Sequence, residues 1–270
     1  MNDTNYISEA GLFFSCNEKK EFVTEQIVPE HLLTYVYSGK ISVTTANKTY
    51  SLSAGQAALF GRNQLAKFAK QPLGGEACQS VTIFFTQQFL QKFYAPEVIK
   101  KDNGSRPKLL FLKTNDVLNE LFRSIENHLN SNSIFIADNQ AQSKIKDALT
   151  LIRKLDVHVD DLLSDFSEPH KIDLAGYMQT NFMFNIPISK FAYLTGRSLA
   201  TFKRDFKKVF GTSPQKWLTE KRLEQAHFLI AEKQQKPSQA FLEAGFENFS
   251  HFSHAFKQFF GYNPSSILSQ

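Results

Sequence analysis

Between Gln26 and Phe85 the apolar residues fall into short runs that alternate with polar positions. The runs are rich in Val, Ile, Thr, Tyr and Phe, and turn-forming pairs such as Ser38-Gly39 and Ala54-Gly55 divide them. Extended runs with turn signals about every eight to twelve residues are typical of a small antiparallel sandwich or barrel. The chain is therefore predicted to begin as β structure.

After Thr86 the apolar residues follow the period of a helix. Three helices are predicted, at QQFLQKFY, at LNELFRSIENHL after Asp116, and at NQAQSKIKDALTLIRKL. The third helix carries an apolar stripe at helical spacing, formed by Ala148, Leu149, Ile152 and Leu155. This stripe fits packing against the β core and also a dimer seam between two copies of the chain, and the two interpretations are compatible.

A polar segment around Ser167 to Lys171, which contains Pro169, is the best candidate for a domain boundary. We therefore predict a first domain of residues 1–167 and a second domain of residues 168–270. The second domain is predicted to be all α, with helices at 172–182, 188–194, 198–210, 214–232, 238–244, 250–260 and 264–268. Residues placed to cap four of these helices are Ser198, Ser213, Ser250 and Asn263.

Two of the predicted helices carry copies of one motif. Phe202, Phe206, Lys207, Phe210, Gly211 and Pro214 recur fifty positions later as Phe252, Phe256, Lys257, Phe260, Gly261 and Pro264. Each copy consists of a short helix, a turn that contains glycine, and a second helix with aromatic residues at i and i+4. This order is the layout of a helix-turn-helix unit, whose second helix enters the major groove of DNA.

Charge is distributed unevenly between the two predicted domains. Residues 1–167 carry 18 Lys and Arg against 18 Asp and Glu, whereas residues 168–270 carry 13 against 8, which accounts for the whole net charge of +5. The phenylalanines would bury one face of each repeated helix and leave Lys203, Arg204, Lys207 and Lys208 outward in the first copy. A basic, outward-facing module indicates a polyanionic partner.

Composition excludes several classes of protein. With 42% hydrophobic and 21% charged residues the chain resembles a soluble globular protein. Apolar runs stay well below the roughly 18 residues that span a bilayer, and the opening residues lack the pattern of a signal peptide, so a cytoplasmic protein with no membrane partner is expected. In that compartment Cys16 and Cys78 are expected to be reduced packing residues.

The C-terminal hundred residues, about 38% of the chain, resemble the DNA-binding domain of the AraC/XylS family of bacterial transcription regulators. The second copy matches through Gly245, Phe246, Phe252, Phe256, Lys257, Phe260, Gly261 and Pro264. The first copy matches through Phe191, Ala192, Gly196, Ser198, Arg204, Phe206, Gly211 and Pro214. The resemblance implies a regulator of transcription, with an activator as the usual case, that binds double-stranded promoter DNA and works with RNA polymerase.

The resemblance also implies roles for individual residues. Base-reading positions fall on Ala200, Thr201, Lys203 and Arg204 in the first copy and on Ser250, His251 and His254 in the second. Arg204 is the best candidate for a bidentate contact to guanine. Groups that would position the DNA backbone are Ser198, Lys207, Lys208, Asn248 and Lys257, together with backbone amides at the helix N-termini.

The chain departs from the family pattern at three places. A small residue is usual four positions before the second glycine, but Phe241 stands there and the neighbouring Ala240 is small. His254 occupies a place where the family often has arginine, and Leu268 stands where an arginine often follows the final proline. We therefore expect the first helix-turn-helix unit to contribute more to base recognition than the second.

For the N-terminal half the resemblance implies a cupin-like β barrel with flanking helices, which gives an α+β protein overall. Such a domain senses a small-molecule or protein effector and supports a homodimer. Inward residues that line a pocket or fill the barrel are Tyr35, Tyr37, Val43, Phe60 and Phe84. His31 is the only histidine before His128 and is expected at the surface or at a strand end, so no metal or other cofactor is expected. We expect no enzyme, since motifs for a nucleophile, a phosphate loop or paired carboxylates are missing.

Overall fold

The structure, a computed structural model, describes residues 4–7, 11–22, 27–96, 108–130 and 138–268, in two compact units, Met1–Ser167 and Glu168–Gln270. In the first unit the strands are β1 (Thr4–Ile7), β2 (Leu12–Asn17), β3 (Glu21–Phe22), β4 (Ile27–Val28), β5 (His31–Ser38), β6 (Lys40–Thr44), β7 (Thr49–Ser53), β8 (Ala57–Phe60), β9 (Gln64–Leu65), β10 (Lys67–Gln71), β11 (Cys78–Phe85) and β12 (Leu109–Leu112). Its helices are α1 (Gln87–Tyr94), α2 (Asp116–Asn130), α3 (Asp138–Leu155) and α4 (His158–Leu163).

The strands pair antiparallel in three sheets. A six-stranded sheet has the order β1-β2-β11-β5-β8-β12, a four-stranded sheet has the order β3-β10-β6-β7, and β4 pairs with β9. Within the described ranges the edge strands β1 and β12 of the large sheet do not pair with each other, so the strands form no closed ring there. The predicted antiparallel, β-rich first domain is confirmed, and the cupin-like barrel stays a prediction.

Alternation along the central strands β5 and β11 sends side chains into two different cores. On one face Leu33, Val81 and Ile83 pack with the helices of the first unit. On the other face Leu32 and Val36 pack against the four-stranded sheet. Because both faces are covered, apolar residues follow one another in β5 without a regular polar position. The two cysteines are free and buried within this part of the fold.

The apolar stripe of α3 lies in the helix-side core. Ala148, Leu149 and Ile152 are fully buried, and Leu155 is half-buried against the same cluster. These side chains pack in a cluster with residues of α2, α4 and the large sheet of the same chain. Core packing is confirmed for Ala148, Leu149 and Ile152, and the dimer seam stays a prediction, for which Leu155 offers the partly exposed position.

Helix α4 and strand β12 were not expected from the sequence. The acidic residues of α4 give its segment a polar appearance, but Asp160 is paired: Arg153 Nε and the Tyr94 hydroxyl donate hydrogen bonds to its Oδ1 at 2.6 and 2.7 Å. While these partners hold the Asp160 carboxylate at the edge of the helix, the apolar residues Val159, Leu162 and Leu163 are buried in the core.

His31 is the first residue of β5, as a strand-end position requires, but the expected surface location is wrong because only 2% of the residue is exposed. Its Nδ1 accepts a hydrogen bond from the backbone N–H of Arg62 at 3.3 Å. Burial and the nearby Arg62 cation lower the pKa of His31 to about 4, while Asp165 acts in the opposite direction. His31 is therefore neutral at pH 7.

The second unit is helical throughout its described residues. Its elements are α5 (Leu174–Asn181), α6 (Ile188–Leu194), α7 (Leu199–Phe210), α8 (Pro214–Ala231), α9 (Pro237–Glu243), α10 (Phe249–Phe260) and a 3₁₀ turn at Pro264–Ile267. Each predicted helix is found within two residues of its expected ends, with the last one as a 3₁₀ turn. The predicted combination of a β-rich domain and a helical domain is confirmed.

Capping agrees with the sequence at two helices and differs at two others. Ser198 and Ser213 accept backbone hydrogen bonds at the starts of α7 and α8, as expected. Asn248 caps α10, and Ser250 lies inside the first turn because the helix begins earlier than predicted. Asn263 makes no side-chain capping bond to the 3₁₀ turn, so that prediction was wrong.

We predict that Leu149→Ala lowers the free energy of unfolding of the first unit by about 2–5 kcal/mol, because it leaves a cavity at a fully buried site. Urea unfolding followed by circular dichroism measures this loss, and fluorescence of the one tryptophan, Trp217, reports the second unit separately. The control Val157→Ala changes a residue that is 82% exposed and should shift stability by less than about 0.5 kcal/mol. If Leu149→Ala leaves stability unchanged and weakens self-association, the result would favour the dimer seam over core packing.

The neutral state of His31 predicts a pH dependence. The pKa is about 4 in the folded chain and about 6.5 in the unfolded chain, so the unfolded state binds more protons between these values. Stability of the first unit should fall as the pH drops from about 6.5 to about 4, by on the order of 3 kcal/mol. His31→Asn, which keeps an acceptor near Arg62, should flatten this slope in urea titrations at several pH values. A slope identical in the two proteins would contradict the assignment.

Candidate nucleic-acid interface

The two copies of the repeat form two helix-turn-helix units, α6–α7 and α9–α10. In the second helix of each unit, Phe202 and Phe206, and likewise Phe252 and Phe256, are fully buried. Phe210 packs on Phe206, and Phe260 on Phe256, as tilted ring pairs with centroids 4.4 and 4.5 Å apart. The repeat in the sequence is therefore a repeat of core packing.

Each turn between the paired helices depends on a glycine. Gly196 and Gly245 have φ values of 66° and 101°. A Cβ at Gly196 would lie 2.2 Å from the carbonyl carbon of His170, and one at Gly245 would lie 2.5 Å from the carbonyl oxygen of Met183. A larger residue would be strained and would also collide with backbone, so both turns pack tightly against preceding segments.

The predicted base-reading residues lie on the first two turns of α7 and α10, away from the buried phenylalanines. In α7, Thr201 is half-buried while Ala200, Lys203 and Arg204 are exposed. In α10 the three candidates Ser250, His251 and His254 are all exposed. Each helix thus presents its set on one face, as contact with base edges requires.

The predicted phosphate contacts divide into two kinds. Lys207, Lys208 and Lys257 are exposed in the last turns of α7 and α10. Ser198 and Asn248 are the capping residues, and their side-chain oxygens already accept hydrogen bonds from the backbone of the first turn. At these two positions the helix N-terminus itself, with its unpaired amides, is the stronger anion-binding group.

Asp205 is surrounded by three cations beside the predicted base-reading residues of α7. Its carboxylate lies 3.3 Å from Arg197 Nε, 3.6 Å from Lys171 Nζ and 3.5 Å from Arg204 Nη2. Desolvation raises the pKa of Asp205, but the hydrogen bond from Arg197 and the surrounding positive charges outweigh it and lower the pKa overall. The Arg204 side chain remains 66% exposed, so the carboxylate orients this side chain without covering it.

Sequence reasoning missed Asp205 and Arg197. Arg197 is 6% exposed at its side chain and also donates hydrogen bonds to the carbonyl oxygens of Thr195 and Ile172, at 2.7 and 3.1 Å. The available signal was Asp205 itself, the single acidic residue in the sequence of an otherwise basic helix.

The chain just after the division between the units is fixed on the first helix-turn-helix unit. The Tyr193 hydroxyl of α6 donates a hydrogen bond of 2.7 Å to Glu168, and Gly196 packs against the backbone at His170. Lys171 reaches Asp205 of α7. Residues 168–172 therefore contact α6, α7 and the turn between them, which together form the first helix-turn-helix unit.

Helix α8 carries one aromatic contact for each copy of the repeat. Trp217 packs on Phe206 and Phe210, with centroid distances of 5.6 and 4.7 Å. Ten residues later, His227 packs on Phe256 and Phe260, at 6.1 and 4.8 Å. An aromatic side chain near each end of α8 therefore packs on the phenylalanines of one repeat helix, Trp217 on α7 and His227 on α10.

Arg222 joins the middle of α8 to the segment that follows α5. Its guanidinium donates hydrogen bonds to the carbonyl oxygens of Phe182 and Phe184 and to Asn185 Oδ1, at 2.9, 2.8 and 3.0 Å. The residue is only 9% exposed, and burial lowers its pKa to about 10, which leaves it charged at pH 7. A Cβ at Gly245 would lie 3.1 Å from Arg222 Nε, so the turn of the second helix-turn-helix unit packs against Arg222.

The exchange of Phe241 and Ala240 is accommodated in the packing of α9. Ala240 is fully buried, and Phe241, 9% exposed, meets Phe249 edge-on at 5.3 Å and Phe252 at 6.0 Å. The large ring therefore packs under the start of α10. Both residues contribute to the core of the second helix-turn-helix unit.

The five pocket candidates of the first unit do not share one lining. Tyr35 and Tyr37 belong to the helix side, where their hydroxyls donate hydrogen bonds to Asn119 Oδ1 at 3.3 Å and to the carbonyl oxygen of Phe122 at 2.8 Å. Residues of the other core, between the sheets, are Val43, Phe60 and Phe84. The expectation of one pocket lined by all five was wrong, because alternate residues of a strand point to opposite faces.

Among the residues that the structure describes, no group of three or more His, Cys, Asp or Glu side chains is arranged to hold a metal ion. The helices within those ranges are each too short or too polar to cross a membrane.

Two family models match the chain. A model described as a helix-turn-helix domain matches residues 191–270, and a model described as the ExsA N-terminal regulatory domain matches residues 31–155. The first model covers most of both helix-turn-helix units, and the second covers most of the β-rich unit.

Similar proteins are transcription regulators. The virulence regulon transcriptional activator VirF of Yersinia enterocolitica is 27% identical over 249 residues, which cover 88% of this chain and 90% of VirF. The thermoregulatory protein LcrF of Yersinia pestis is 27% identical over 92% of this chain and 93% of LcrF. The regulator ExsA of Pseudomonas aeruginosa is 32% identical over 38% of this chain and 37% of ExsA. A solved structure of ToxT from Vibrio cholerae covers 97% of this chain and 98% of that chain, with 14% identity and a TM-score of 0.45.

We predict that Arg222→Lys lowers the free energy of unfolding of the second unit by about 1–3 kcal/mol. A lysine ammonium lacks the planar fork of arginine and leaves at least one buried carbonyl oxygen without its donor. Urea unfolding followed by Trp217 fluorescence measures this loss. The neighbouring Lys221→Ala removes only a surface pair with Glu224 and should cost less than about 1 kcal/mol. Equal stabilities of the two variants would show that the three hydrogen bonds of Arg222 do not hold the unit together.

Proposed function

The chain belongs to the AraC/XylS family of DNA-binding bacterial transcription regulators, and on that premise we propose that it activates transcription by reading two successive major grooves of promoter DNA. The observation that carries the proposal is the pair of exposed polar faces on α7 and α10, which the same helix, α8, joins. The similarity to VirF over 88% of this chain supports activation, because VirF is named as a transcriptional activator.

The length of α8 supports reading by a single chain. Its 18 residues span roughly 27 Å at 1.5 Å per residue. Successive major grooves on one face of B-DNA lie roughly 34 Å apart. One chain would then contact two segments about ten base pairs apart, with RNA polymerase as its partner at the promoter.

We assign the two reading helices different contributions. In α7, Arg204 contacts guanine, with Lys203, Thr201 and Ala200 beside it, and Asp205 holds the guanidinium in place. In α10, Ser250, His251 and His254 offer shorter or weaker hydrogen-bonding groups. The backbone contacts come from Lys207, Lys208 and Lys257 and from the helix starts at Ser198 and Asn248.

The β-rich unit is proposed to regulate the DNA-binding unit. Its match to the model of a regulatory domain supports this role, and the packing of its six-stranded sheet against its four-stranded sheet is compatible with a cupin-like architecture. Val43 and Phe60 fill the space between the sheets and are each 1% exposed, which favours a protein effector over a small molecule in that core. Residues 168–172, held on the first reading unit, offer a route for control.

Two substitutions on α7 separate base reading from phosphate contact. Arg204→Ala should weaken binding to the preferred sequence by about 1–3 kcal/mol and relax the preference at one base pair. Lys207→Ala should weaken binding to all sequences and lower the slope of log affinity against log salt by about one.

Affinities measured by fluorescence anisotropy at several salt concentrations, on a duplex selected by the wild-type chain and on an unrelated duplex, test both expectations. Lys221→Ala on α8 is the charge-matched control for Lys207→Ala. It removes the same charge and should lower the affinity for DNA less than Lys207→Ala does. Equal affinities of the wild type and both α7 variants would refute the assignment of α7 as a reading helix.

A further inference from the structure

Two pairs of large apolar side chains are exposed at equivalent positions of the reading helices. Leu199 and Phe249, fifty residues apart, are 40% and 43% exposed. Val209 and Phe259, also fifty residues apart, are 52% and 43% exposed. Both copies of the repeat therefore leave apolar surface open at the same two places, although their outward polar residues differ.

The two pairs lie at opposite ends of the helices. Leu199 and Phe249 are the first residues of α7 and α10, directly after the caps and next to the first base-reading positions. Val209 and Phe259 lie in the last turns, just before the left-handed glycines that end the helices. In a helix-turn-helix protein it is the N-terminal part of the second helix that meets base edges.

Contacts within the protein cover only part of the Leu199 and Phe249 side chains. The Phe249 ring meets Phe241 edge-on at 5.3 Å and Phe252 at 5.9 Å, and the rest of the ring stays open. Leu199 lies one helical turn before Lys203 and therefore on the same side of α7. On a bound duplex, an apolar group in this place gains free energy by contact with an apolar group of the nucleic acid.

Major-groove edges of DNA offer one strongly apolar group, the C5 methyl of thymine. We propose, on the basis of the proposed DNA-reading function, that Leu199 and Phe249 each contact a thymine methyl and so add thymine preference to the two half-sites. The neighbouring hydrogen-bonding residues then read adjacent bases. Burial of one methyl corresponds to roughly a fourfold change in affinity.

Replacement of thymine by deoxyuridine removes only this methyl group. The full chain first selects duplexes from a random library, and the selected duplex is then scanned with single uracil substitutions at fixed salt. The wild type should lose about fourfold affinity at thymines in two clusters about ten base pairs apart. Leu199→Ala should abolish the uracil effect in one cluster and keep it in the other, and Phe249→Ala should do the reverse.

The controls Val209→Ala and Phe259→Ala remove equally exposed apolar groups from the other ends of the same helices and should keep both uracil effects. Since the unaffected cluster is read by the same molecule, its persistence shows that each variant is folded. Uracil effects that survive unchanged in Leu199→Ala and Phe249→Ala, or that disappear in the controls, would overturn the contact. Failure of the wild type to select any sequence would overturn the DNA-reading function itself, and the thymine contact with it.

Discussion

The buried guanidinium of Arg222 is the constraint on which the DNA-binding unit depends. A charge this deeply buried destabilises a fold unless hydrogen bonds compensate its lost hydration. Here the compensation comes from the carbonyl oxygens of Phe182 and Phe184 and from Asn185 Oδ1, at and just after the C-terminal end of α5. Arg222 therefore satisfies the end of one helix and fixes it to the middle of another.

This joint explains why one turn position must be glycine, and a separate backbone contact explains the other. Gly245 lies against Met183 and Arg222, and Gly196 lies against the backbone at His170. In each case the turn of a helix-turn-helix unit is pressed against a segment from elsewhere in the second unit. With Trp217 and His227 attaching α8 to both reading helices, the separation of the two readers follows from packing.

The sequence predicted the second unit almost completely because its signals are local. Helix ends are marked by capping residues, prolines and glycines, and the buried face is marked by phenylalanines at i and i+4. Arg222 and Asp205 escaped notice because their partners are distant in the chain or lie on the opposite side of a turn, and a lone charged residue does not show whether it is buried. His31 was placed wrongly for the same reason.

The first unit was harder to predict because its central strands are covered on both faces. A strand with one buried face shows alternation, but in β5 the two sets of apolar residues interleave, so the neighbours Tyr35 and Val36 look equivalent in the sequence and belong to different cores. The same ambiguity made the α3 stripe fit either a core or a dimer seam.

This arrangement also bears on how the protein is regulated. Since the residues of both described cores are buried against one another, our proposal assigns transmission of a signal to surfaces and to the chain that leaves the unit. That chain is bound at once, at residues 168–172, to the first helix-turn-helix unit. Lys171 and Arg204 share the Asp205 carboxylate, so a displacement of this segment changes the charge environment of the guanidinium to which we assign the guanine contact. In the proposed mechanism, regulation acts on base reading in this way without unfolding either unit.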